Sequence, residues 1–210
     1  MSPPTPYTTT LLPPPGPLIS KPRSTLSIRP ETPHTFIDAM SVRNDVFVNE
    51  QGCSAEEELD DDDARSWHWV LYTTTQSDGK LMPVGVIRLV PPPHPPHFNE
   101  IPASANGERH NHDIPHVKIT RVAVLPEYRG KGLSRILVDT LLDWAAGHAE
   151  ELSSTVAGEG ERWDGLVLVH AQVSVEKVYE KMGFVTDASM GTWLEEGIDH
   201  VAMWRRIAVL

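Results

Sequence analysis

Apolar residues recur at three- and four-residue intervals along Leu133, Ile136, Leu137, Leu141, Trp144, Ala145 and His148. That period gathers them on one face and predicts an amphipathic helix over about residues 131–149. Just upstream, Val117 and Ile119 share one strand phase while Val122 and Val124 share the other. A change of phase within a strand is what a β-bulge produces, and Pro126 ends this strand. Residues 165–171 form a continuous apolar run, as a parallel strand covered on both faces would. Val175 to Met182 then predicts a short helix ended by Gly183, with strands at 184–186 and 201–207.

The N-terminal half is read in the same way. Trp67–Tyr72 and Val84–Val90 predict two strands joined by a polar turn around Ser77-Asp78-Gly79-Lys80. Phe36, Ile37, Met40, Val46 and Phe47 suggest one broken or two short helices between Pro33 and Asn49, after a short strand at Leu26–Ile28. The acidic stretch Glu56–Asp63 is self-repelling and is expected in an exposed loop. Prolines 91–93, 95 and 96 stop the second strand and open an insertion running to about Pro115. Strand, long helix, strand, short helix, strand is an α/β order built on a right-handed crossover. The expected division is a Pro-rich arm or tail at 1–24 and one domain over 25–210, with an inserted Pro/His-rich loop at about 91–115.

Composition narrows the chemistry. The 210 residues carry a formal net charge of −11, which argues against a nucleic-acid backbone as partner and suits a cationic ligand better. No apolar run reaches 18 residues, so no membrane span is expected. One cysteine, Cys53, cannot form an internal disulfide. With an N-terminus lacking a basic patch and apolar block, this points to the cytoplasm. Cys53 lacks a Cys–His signature and is read as a bystander. His94, His97, His110, His112 and His116 are irregularly spaced in a proline-rich stretch without a metal-binding pattern, so no metal is expected.

The segment Arg121-Val122-Ala123-Val124-Leu125-Pro126-Glu127-Tyr128-Arg129-Gly130-Lys131-Gly132-Leu133-Ser134 carries most of the functional signal. A glycine-rich turn opening a helix exposes several backbone N–H groups beside the positive end of the helix dipole, a site suited to a phosphate or pyrophosphate. Arg129 and Lys131 would add two cationic donors. Neither the Walker A pattern nor the dinucleotide G-x-G-x-x-G is present. Arg129-x-x-Gly132-x-Ser134, preceded by a hydrophobic strand and a Val-x-Pro step, resembles the acetyl-CoA motif of the GNAT acetyltransferases, with serine at the usual small final position. A second block, Gln172 to Phe184, resembles the family's Asn-x-x-Ala-x-x-(Leu/Phe)-Tyr-x-Lys-x-Gly-Phe. Tyr179, Lys181, Gly183 and Phe184 fall in register, while Gln172 and Val175 depart from it.

The resemblance implies a central mixed twisted sheet of about seven strands, a splayed and bulged central strand, and flanking helices. It implies that residues 130–134 hold the CoA pyrophosphate, that Val122, Ala123 and Val124 pair with pantetheine, and that Gln172 and Lys181 belong to the CoA side. Tyr179 would protonate the departing thiolate. Arg43 to Gln51 and Leu194 to His200 are similar to the opening and ending of an ElaA-like branch, loosely joined by Glu58 to Asp63 and His68. Glu50, His68, Glu195 and His200 are thereby candidates for holding or deprotonating the amine, and a plain structural pairing of such carboxylates with Arg43 or Arg88 stays open. The expected activity is acetyl transfer from acetyl-CoA to a primary amine of a small cationic molecule, without metal. The alternatives are a protein lysine or N-terminal acetyltransferase and a non-catalytic CoA-binding module. Membership would also imply a homodimer.

Overall fold

The computed structural model describes residues 7–19, 31–75, 79–96, 111–156 and 160–210. Among them, eight strands form a mixed sheet with the order β1-β2-β3-β4-β5-β8-β6, and β7 pairs with β8. Two compact units divide the chain. One comprises residues 1–90 and 121–141, the other residues 91–120 and 142–210.

In the first unit, β1 (Tyr7–Leu12), β2 (Trp67–Thr74) and β3 (Leu81–Val90) run antiparallel in succession. The two-phase burial of β2 and β3 fits their long apolar runs. Leu71 pairs with Gly85 but Tyr72 with Pro83, so the register slips and Val84 is the extra residue on β3. Helix α1 (His34–Arg43) leads without a break into a wider π-type turn at Asn44–Glu50. Ala39, Val42 and Val46 from this segment pack with Val70, Tyr72, Val86 and Ala123 into one core. The short helix α2 (Ala55–Glu58) follows.

β1 lies inside the segment expected as a Pro-rich arm: Tyr7 to Leu12 pairs residue by residue with Thr73 to His68. Its identity as a strand comes from a partner about 60 residues away, which local composition does not reveal. The expected strand at Leu26–Ile28 lies outside the described residues. The acidic stretch corrects the expectation of an exposed loop, because Glu58 and Asp63 are buried at 5% and 0% exposure. Arg43 and Arg88, themselves buried, neutralise them.

In the second unit, the start of β4 (Val117–Val124) runs parallel to β5 (Leu166–Gln172), pairing Val117–Ile119 with Val167–Val169. β8 (Ile198–Arg206) lies antiparallel to β5 along its whole length and also receives β6 (Val185–Thr186) and β7 (Thr192–Glu195). β7 is an addition to the expected set. Glu196 and Gly197, with φ of 51° and 77°, make the tight β7–β8 turn whose twist matches the strands. Leu166, Leu168, Met190, Trp193, Ala202 and Trp204 form the core. The helix read from periodicity is α3 (Leu133–Gly147). It is followed by α4 (Ala149–Ser153) and, after β5, by α5 (Glu176–Glu180).

Candidate functional site

The residues singled out from sequence fall into two groups, one in each unit. The first starts at Arg121, whose φ of 53° interrupts the extended backbone of β4, although Val117, Ile119 and Ala123 are buried on a single alternation and the burial does not switch to the expected Val122/Val124 phase. Beyond it, Ala123 is buried in the unit's core while Val122 and Val124 are half-buried. Leu125 returns a backbone hydrogen bond to Val84 O at 2.9 Å. A 3-10 turn at Pro126–Tyr128 then leads to Gly130 and Gly132, with φ of 74° and 76°. No atom lies within 4 Å of a Cβ built on either, so backbone conformation rather than space demands glycine there. Arg135 and Ile136 donate their amides to Gly132 O, whereas those of residues 130–134 enter none of the loop and cap hydrogen bonds. A helix start leaves such donors without intrahelical partners.

The side chains here are engaged locally. Arg129 grips Glu50 with both terminal nitrogens, at 2.7 and 2.6 Å, and donates Nε to Val124 O at 2.9 Å. The Arg129 hydrogen bond holds the Glu50 carboxyl below its ordinary range. Glu50 is therefore a weak proton acceptor in this state. Lys131 Nζ donates to Glu127 O at 3.0 Å and lies 4.8 Å from the Tyr128 ring centroid. Leu133 is buried as the helix's first anchor, and Ser134 is half-buried. His68, the other candidate in this unit, is fully buried with Nε2 3.0 Å from Asp63 O. Burial lowers its pKa to about 4.

The second group gathers where β5, β7 and β8 meet. Register places Gln172 opposite His200 on β8, and His200 opposite Trp193 on β7. His170, two residues back on β5, turns its ring edge-on to Trp193, with centroids 4.8 Å apart. Its Nδ1 lies 3.8 Å from Glu195 Oε2. Glu195 is about half exposed, and its pKa is lowered to about 2, chiefly by His170. His200 Nδ1 sits 2.8 Å from Ile198 O. Register and distance thus unite Glu195, His200 and Gln172 with a residue that sequence reading missed. Its signal was the single polar ring in the apolar run 165–171. Tyr179 on α5 is buried, packs edge-on against Phe184 at 5.6 Å, and its hydroxyl makes no hydrogen bond to a described residue. Burial raises its phenol pKa. Lys181 is exposed at the end of α5.

Among the described residues, no group of three or more His, Cys, Asp or Glu side chains is arranged to hold a metal ion. His94 stacks on His116, and both ring systems contact backbone carbonyls. His97, His110 and the side chain of His112 lie outside the described residues. No described helix is long and apolar enough to cross a membrane.

The sequence profile of the acetyltransferase (GNAT) family matches residues 36–184, spanning both the glycine turn and Tyr179. The chain belongs to the GNAT acetyltransferase family. This GNAT protein is accordingly an acyl-CoA-dependent N-acyltransferase. Solved structures share its fold at low identity. An acyl-CoA N-acyltransferase from Pseudomonas aeruginosa is 23% identical with a TM-score of 0.56, covering 95% of this chain and 99% of its own. Escherichia coli ElaA is 19% identical with a TM-score of 0.54 and the same coverage. Arabidopsis thaliana NAA60, solved in complex with acetyl-CoA, is 14% identical with a TM-score of 0.54, again covering 95% and 99%.

Proposed function

We propose that this GNAT enzyme transfers the acetyl group of acetyl-CoA to the primary amine of a small cationic molecule, an amino sugar such as glucosamine or a polyamine. The observation that carries the acetyl-CoA assignment is the turn at Gly130 and Gly132. Its left-handed glycines leave the amides of residues 130–134 outside the local hydrogen bonds, at the start of a fifteen-residue helix. Donors so arranged suit a diphosphate even with the Arg129 charge taken up by Glu50. Val122, Ala123 and Val124 follow the left-handed Arg121 and are assigned to the pantetheine and the thioester carbonyl. In the second unit, Gln172 and Lys181 are assigned to the CoA side and Tyr179 to thiolate protonation. Burial favours the phenol form, so Tyr179 holds its proton at neutral pH.

Glu195 supports a cationic acceptor. It stays ionised down to low pH, half exposed, with His170 and His200 beside it. A carboxylate of that kind attracts an ammonium, and the net charge of −11 acts in the same direction. The matching blocks at 42–51 and 194–200 favour the ElaA-like branch, and one cysteine suits a reducing cytoplasm.

Calorimetry with acetyl-CoA, followed by thiol release against glucosamine, spermidine and lysine peptides, tests the assignment. Gly132→Val forces a β-branched residue into a left-handed φ at a cost of about 1–2 kcal/mol. Acetyl-CoA affinity is expected to fall roughly tenfold or more, since each 1.4 kcal/mol is a factor of ten. A wild-type protein that gives no heat with acetyl-CoA overturns the proposal. Faster turnover of peptides than of small amines moves the acceptor to proteins.

A further inference from the structure

Arg121 adopts a left-handed conformation in the middle of β4, which is costly for any residue with a Cβ. Strain of this kind persists where surrounding contacts over-determine it, and these contacts lie within the first unit. Arg121 Nη2 donates to the Asp60 carboxylate at 3.1 Å and to the Glu57 and Glu58 carbonyls at 3.4 Å each. Its Nε lies 3.2 Å from Glu58 Oε1. The segment that receives it is fastened from the core side. Arg43 binds Glu58 at 2.5 Å and Asp63 at 2.7 Å, and Arg88 binds Asp60 at 2.6 Å and Asp63 at 2.7 Å. Arg43 also donates to the Glu58 carbonyl. Linked ion pairs therefore run from the fully buried Arg43 to Arg121.

Buried ion networks contribute little net stability compared with apolar packing of the same volume. A network ending on the one strained residue of β4 is better suited to fixing geometry. We propose that Arg121 is a positioning residue. Gripped by the 57–63 segment, it holds the β4 backbone in the left-handed conformation at 121 from which the peptide groups of Val122–Val124 are presented for acyl transfer. This rests on the acyltransferase role assigned to those residues. Arg43 and Arg88 reach Arg121 through shared carboxylates, so Asp60 and Glu58 set the clamp while the two buried arginines set the carboxylates.

Three full-length variants test this. Arg121→Ala removes the clamp and keeps a Cβ that disfavours the left-handed conformation. Arg121→Gly removes both. Arg121→Lys keeps a charge that can reach part of the same cradle. For Arg121→Ala, kcat is expected to fall on the order of 10²-fold, comparable to loss of one oriented backbone donor. Acetyl-CoA affinity by calorimetry should fall by a smaller factor than kcat, because the 130–134 turn assigned to the diphosphate is untouched while the pantetheine-facing backbone is loosened. Amide hydrogen exchange over residues 120–125 should accelerate roughly tenfold or more while the 130–134 turn keeps its rate. Arg121→Lys should recover part of kcat. Arg121→Gly should unfold at a higher temperature than Arg121→Ala yet lose kcat to the same extent. Wild-type kcat and exchange in a folded Arg121→Ala overturn the inference. Failure of all three variants to fold overturns it too, leaving a purely structural role. If the wild type acetylates no amine, the acyltransferase role itself fails, and the exchange comparison still decides whether Arg121 holds the strand.

Discussion

Tyr179 illustrates how a single side chain can be nearly dispensable for folding and still matter for turnover. Its ring fills space against Phe184, while its hydroxyl makes no hydrogen bond to the described residues. Among the described residues that oxygen has no hydrogen-bond partner, so Tyr179→Phe should shift stability by less than about 0.5 kcal/mol. Turnover at neutral pH, followed by thiol release, is expected to drop between about 10- and 100-fold if the phenol is the proton donor. Unaltered turnover removes Tyr179 from the chemistry. His170 and Arg121 mark what sequence reading misses at this scale. A histidine inside an apolar strand and an arginine in mid-strand are both visible as letters. Their meaning depends on Glu195, 25 residues downstream, and on Asp60, 61 residues upstream.

Among elements, α3, β5 and the β2–β3 pair are legible because each draws its order from its own period of apolar residues. β1 and the 55–65 segment are not, because their structure depends on distant partners. Six residues flanked by proline become a strand through β2, and two members of an acidic run, Glu58 and Asp63, are buried against Arg43 and Arg88 while its remaining members stay partly or fully exposed. The acidic segment also brings His68 into the interior. Its folded pKa of about 4 lies below the unfolded value of about 6.5. Between those values the unfolded chain binds more protons, so stability is fully present above pH 6.5 and is lost as pH falls toward 4. That loss is on the order of 3 kcal/mol. Urea midpoints measured from pH 7 to pH 4 should fall for the wild type, and His68→Gln should flatten the curve in that window. An equally steep curve in the variant would assign the acid sensitivity to carboxylates alone.

For the molecule as a whole, the charge of −11 bears on the encounter with its acceptor. If the acceptor is a cation, attraction over about a Debye length raises its local concentration, and added salt removes the benefit. kcat/KM for a polyamine should therefore decline roughly tenfold between about 0.02 and 0.3 M salt, and less for singly charged glucosamine. Equal salt slopes for the two amines would deny the bulk charge any part in acceptor choice. Family and fold class are legible in sequence from the residues around Gly132 and Tyr179, whereas the acceptor depends on groups dispersed along the chain. The arginine at the mouth of the glycine turn leaves one last implication. With its guanidinium already paired with Glu50, the turn offers amide dipoles and the Lys131 ammonium rather than a second bare cation. Orthophosphate, sulfate and other abundant small anions then find little to hold them, and a ligand must reach several amides at once to bind well.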